Sequence, residues 1–137
     1  SLQMILRFLS AFYSGMKSLS SGFYFNWGMN YARWGQPAKA LYYLNRAARL
    51  NTKGSRIYLQ RGLLLLAMGQ PESAVIDFNT AIDANPRYME AYVNRSILHT
   101  LAGRHEDAQN DIDQAVALGT DRVSLENRIA ELRDQTE

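Results

Sequence analysis

The outline WGQPAKALYYL (34–44) returns as MGQPESAVIDF (68–78) and again as AGRHEDAQNDI (102–112), each time 34 residues further on. An interval kept twice, while the letters between shared positions change, marks an internal repeat and constrains the fold more than any other feature of the chain. Residues 21–54, 55–88 and 89–122 align without gaps. One column reads Gly28, Gly62, Ser96 and another Gly35, Gly69, Gly103. Others read Tyr24, Tyr58, Tyr92; Ala40, Ala74, Ala108; Leu44, Phe78, Ile112; and Ala47, Ala81, Ala115.

These columns describe a helix–turn–helix unit. Gly35, Gly69 and Gly103 sit where a helix would end in a left-handed cap, a conformation cheap only for glycine. Pro37 and Pro71 follow two residues later and suit the first turn of a second helix, where a missing N–H costs nothing. Pro86 helps to end the second helix of the middle unit. Small residues at 28/62/96, 40/74/108 and 47/81/115 let two helices approach closely, and large ones at 44/78/112 fill the space beside them.

This pattern resembles the tetratricopeptide repeat, whose signature is a large residue, a small one, a turn glycine, then spaced alanines and a closing proline. The resemblance covers 21–122 as three repeats, with Ser96 in place of the usual glycine and Thr52 and Thr120 where the proline falls. It implies an all-α chain folded as a right-handed α-solenoid. Residues 123–137 continue the phase. Leu125, Ile129 and Leu132 there form a narrow apolar stripe backed by Glu126, Arg128, Glu131 and Arg133, as expected of a capping helix.

In this family the first helix of each repeat lines a concave groove that holds a peptide or a helix. The matching positions include Phe25, Met29 and Arg33; Arg56, Leu59, Leu63 and Leu66; and Val93, Ile97 and Thr100. The resemblance implies an adaptor or scaffold that binds another protein through them. One subgroup holds acidic chaperone C-termini in a clamp of Lys, Asn and Arg side chains. Here those positions carry Phe25, Met29, Gln60, Glu90 and Asn94, so a chaperone tail is not expected as a ligand. The run Leu63-Leu64-Leu65-Leu66 covers most of a helix circumference, and a helix apolar all round is normally covered all round. An occupant of the groove is therefore expected, with tighter packing between repeats as the alternative. Charged residues at Leu63 and Ile97 would then abolish capture without unfolding the chain.

Residues 1–20 do not follow the repeat. Leu2, Ile5, Leu9, Phe12, Met16 and Leu19 step by three and four, opposite Gln3, Arg7, Ser10, Ser14 and Lys17, which predicts an amphipathic helix. Three uses compete for it: capping the solenoid, filling the groove of its own or another copy, and lying on a membrane surface.

Charge is strongly asymmetric. Nine Lys or Arg and no Asp or Glu precede Glu72, whereas six Arg and thirteen acids follow from there on. The halves are therefore about +9 and −7, which sum to the overall +2, and such opposed ends suit salt-sensitive self-association or an acidic partner. Twelve of the fifteen aromatics lie before residue 62. Mixed with basic side chains they could serve single-stranded nucleic acid, but several occupy repeat packing positions and no nucleic-acid motif accompanies them. No run of about 18 to 20 apolar residues would span a bilayer, so a soluble, cytoplasmic chain is expected, with peripheral membrane attachment as the alternative. The chain has no cysteine. His99 reads as a packing residue and His105 as solvated, and Asp107, Asp111 and Asp113 read as a solvated helix face. No metal site, cofactor site or base–nucleophile pair can be assembled, and the expectation is a protein that is not an enzyme.

Overall fold

Gly35, Gly69 and Gly103 all adopt positive φ, between 70° and 76°. Each closes a first helix: Gln36, Gln70 and Arg104 donate their N–H groups back five residues, to the carbonyls of Tyr31, Leu65 and His99. In this computed structural model, which describes residues 1–136, the caps divide the chain into seven helices. They are α1 (Leu2–Arg33), α2 (Pro37–Leu50), α3 (Ser55–Ala67), α4 (Pro71–Ala84), α5 (Met89–Leu101), α6 (His105–Ala117) and α7 (Arg122–Asp134). Pro37 and Pro71 open α2 and α4, as their fixed φ predicts.

Helices pair as α1 with α2, α3 with α4 and α5 with α6, and each pair stacks on the next through its second helix. The small residues of the repeat set these distances. A Cβ on Gly62 would lie 2.6 Å from Phe78 Cε1, and one on Gly28 2.9 Å from Leu44 Cγ. In the third unit Ser96 brings a Cβ to the same position, and there the facing residue is the smaller Ile112. Ser96 is fully buried and its hydroxyl donates to the Val93 carbonyl. At the far end α7 buries Leu125 and Ile129 against α5 and α6, and Asp121 caps it by accepting from the Ser124 N–H.

Between units runs a ladder of buried ion pairs. Arg61 donates through Nε and Nη2 to both carboxylate oxygens of Asp77, at 2.8 Å each, and through Nη1 to Asn45 on the preceding second helix. One repeat later, Arg95 does the same with Asp111 and Asn79. Asp111 is therefore not part of a solvated face: it is buried, and the planar guanidinium opposite satisfies both its oxygens. Asp107 and Asp113 are exposed as expected. In the first unit the same positions are Trp27 and Tyr43, and aromatic stacking replaces the ion pair, with Tyr31 against Tyr43 at a centroid distance of 5.3 Å.

The amphipathic segment does not form a separate helix. α1 runs unbroken from Leu2 through the first-repeat residues to Arg33, because no glycine cap or proline interrupts it between Ser18 and Phe25. Tyr58 and Tyr92 each donate their hydroxyl to a carbonyl in the loop before their helix, those of Thr52 and Pro86. Tyr24 has no such loop and instead stacks on Tyr43 beneath the Arg46 guanidinium. Leu2, Ile5, Leu9, Phe12 and Met16 are all more than half exposed, so they neither cap the solenoid nor fill the groove of their own chain.

Candidate functional site

The first helices α1, α3 and α5 leave one side uncovered by their second helices. Residues spaced by four, three and four share that side, and the repeat brings each position round again after 34. Gly22, Arg56 and Glu90 lie at one edge and Arg33, Ala67 and Leu101 at the other, all exposed. Between them run an amide row, Asn26, Gln60 and Asn94, and an apolar row, Met29, Leu63 and Ile97.

Burial sorts the expected lining residues into two groups. Phe25, Leu59 and Ile97 are core residues, with Leu59 fully buried. Met29, Leu63, Leu66, Val93 and Thr100 are half-buried and present surface, while Arg33 and Arg56 stand exposed beside them. A charged residue at Ile97 would thus strike the core, so that substitution does not separate binding from folding. The leucine run is covered more than its sequence suggests: Leu65 is buried, and Leu63, Leu64 and Leu66 pack partly against the two core clusters. Neighbouring helices rather than an occupant provide most of that cover.

Two recesses open on or beside this region. One of about 360 Å³ lies between α1 and the α2–α3 turn, lined by Ser21, Phe25, Lys53 and Arg56, whose guanidinium sits 5.0 Å from the Phe25 ring centre. The other, about 450 Å³, is lined mainly by Leu66, Val75, Leu98 and Leu101 between the second and third units. The first is basic at its rim and the second apolar.

Residues 55–88 match the family model for the tetratricopeptide repeat. The fold is that of a tetratricopeptide-repeat domain. The Arabidopsis OM64 tetratricopeptide-repeat domain superposes with a TM-score of 0.75 at 20% identity, covering 84% of this chain and 98% of its own. The first such domain of Spaghetti (RPAP3), bound to the HSP90 peptide SRMEEVD, gives 0.77 at 17% identity, covering 87% and 94%. The TPR2B domain of yeast Sti1, in complex with pHsp70, gives 0.73 at 18%, covering 88% and 100%. A comparison with curated proteins finds no match. One of these neighbouring domains was solved with an HSP90 peptide and another in complex with pHsp70, so the expectation of a ligand other than a chaperone tail is not borne out.

Comparison with a charged clamp meets Gln60 and Asn94 singly but not as members of the amide row that begins at Asn26. Gln60 differs in letter from Asn26 and Asn94, but all three offer a donor and an acceptor, and the 34-residue interval alone finds them. Asn94 spends one donor on the Glu90 carbonyl of its own helix, at 2.8 Å.

His99 is buried, as its position in the column of Tyr31 and Leu65 suggests. Its Nε2 lies 3.7 Å from Asp111 Oδ2, and its Nδ1 has no hydrogen-bond partner. Burial lowers the imidazole pKa below its ordinary value, and the nearby Asp111 carboxylate opposes that only in part. Among the described residues no three His, Asp or Glu side chains are grouped to hold a metal ion, and no helix is long and apolar enough to cross a membrane.

Proposed function

We propose that the chain is a non-catalytic adaptor that takes a peptide or helical segment of another protein on the uncovered side of α1, α3 and α5. The observation that carries this reading is an amide row beside half-buried apolar surface along the three helices. Met29, Leu63, Leu66 and Val93 offer half-buried apolar surface, and Asn26, Gln60 and Asn94 offer amides that can pair with a ligand's main chain. Arg33 and Arg56 flank the N-terminal end without a carboxylate partner among the described residues, which favours a ligand with acidic residues at that end. The HSP90 peptide SRMEEVD, bound by a similarly folded domain, carries three acidic residues and so supports an acidic ligand. The clamp positions Phe25, Met29 and Glu90 remain unlike those of the charged subgroup, so affinity rests on apolar contacts more than on carboxylate capture.

The test is selection of a random peptide library on the full chain, followed by titration of the selected peptides and of SRMEEVD. Peptides that pair apolar side chains with an acidic end, and that weaken by about tenfold or more on Leu63→Gln and on Arg56→Glu, are expected from losing one buried contact or one charge pair. Selected peptides indifferent to both substitutions would remove the reading. Binding of SRMEEVD as tightly as the selected peptides would shift it to the chaperone-tail class.

A further inference from the structure

The exposed side of α1 is a single apolar stripe that begins in the projecting segment and continues into the first repeat, as far as Trp34. Eighteen residues make about five helical turns, so Ile5 stands directly below Phe23, Leu9 below Trp27 and Met16 below Trp34. All six are exposed, from 38% at Trp27 to 58% at Trp34. Leu2, Phe12 and Leu19 fill the intervening positions, and Leu19 is 78% exposed. On the other side, Arg7 lies five turns below Phe25 and Ser10 below Gly28, two of the three residues that α1 buries toward the body. The stripe therefore faces away from these buried residues.

We propose that this stripe lies flat on the surface of an anionic bilayer, with the repeats held above it. Four observations favour lipid over a second copy. With Met4, Phe8, Leu6 and Tyr13 included, the apolar arc spans roughly 200° of the helix, wider than the narrow seam of a paired coil. Both tryptophans of the chain lie on the stripe, and amphipathic indoles favour the headgroup region. No Asp or Glu occurs before Glu72, and of the nine cations in that stretch Arg61 alone forms a salt bridge among the described residues. Eight free cations therefore stand on the half of the molecule that carries the stripe, complementary to acidic headgroups and mutually repulsive if two copies met through it. This inference does not rest on the peptide-binding reading, because the centre of the stripe, at Ile5, Leu9, Met16, Phe23 and Trp27, lies about 110° round α1 from Gly22, Asn26, Met29 and Arg33.

The experiment uses the full chain with vesicles of phosphatidylglycerol and phosphatidylcholine, against phosphatidylcholine alone, followed by co-sedimentation and tryptophan emission. A blue shift and sedimentation with the anionic vesicles, both weakened between 0.1 and 0.5 M salt, are expected. Leu9→Glu/Phe12→Glu, placed where no other helix packs, should reduce partitioning by about tenfold or more, while Ile76→Glu on α4 should leave it unchanged. No partitioning onto anionic vesicles would overturn the proposal. So would a blue shift that grows with chain concentration in the absence of lipid and accompanies a doubled mass in light scattering, which would assign the stripe to a second copy.

Discussion

Arg61 and Asp77 meet through two parallel hydrogen bonds of 2.8 Å, across the two helices of the middle repeat, while the same guanidinium reaches Asn45 on the repeat before. Three helices are thus tied by one side chain, and Arg95 repeats the tie 34 residues on. The carboxylates are almost wholly buried and the arginines about four-fifths buried. Removing one partner leaves a charge that the interior cannot solvate.

Arg95→Met should accordingly destabilise the chain by about 3 kcal/mol, the cost of a buried carboxylate stripped of its partner. Arg95→Met/Asp111→Leu should recover most of that loss, as the first repeat, with Trp27 and Tyr43 at these positions, already dispenses with the pair. Urea denaturation of both single variants and the double variant measures the coupling. Additive losses would mean that the pair contributes no specific stability.

Gly62→Ala should cost about 1–3 kcal/mol, since the new methyl would meet the Phe78 ring at 2.6 Å in a core with no slack. Gly62→Ala/Phe78→Ile, which reproduces the arrangement at Ser96 and Ile112, should lose less than the sum of its two single changes. Thermal melts of the three variants decide it.

Gly69→Ala tests backbone conformation with no packing change, because its Cβ would meet nothing within 4 Å. The cost of about 1 kcal/mol would come from holding alanine at φ +76°. A neutral result would mean that the turn relaxes out of the left-handed region.

The buried imidazole of His99 predicts a pH dependence. Its folded pKa lies below the unfolded value of about 6.5, so between the two the unfolded chain binds more protons. Stability should therefore fall as the pH drops from 7 towards 5. His99→Leu, which installs the residue found at Leu65, should flatten that slope. An unchanged slope in denaturation midpoints at pH 7, 6 and 5 would place its origin elsewhere.

What the sequence made legible follows from what a 34-residue period can carry. The caps at Gly35, Gly69 and Gly103 and the close approach at Gly28 and Gly62 were readable because each needs one residue type at one place. Asp111 was misread because, taken alone beside Asp107 and Asp113, it is one more acid on a helix. Only its alignment with Asp77, and of Arg95 with Arg61, reveals the buried partner. Ile97 reads as lining in the sequence because period places a residue on a helix side but does not say how deeply its neighbours cover it. The break expected near residue 20 rested on a change of pattern, and a change of pattern is not a helix stop. Without a glycine cap or proline, the helix continued.

That unbroken helix also means that nothing resembling a hinge separates residues 2–19 from the first repeat. The compass bearing of the outer stripe relative to the uncovered side of the first helices is set by residue count alone. One residue added after Leu19 would swing the distal stripe by about 100°. Seven would bring it back to within about 20°, on an arm longer by about 10 Å. Between these two sides of α1, length and torsion are one variable, and the chain has fixed both.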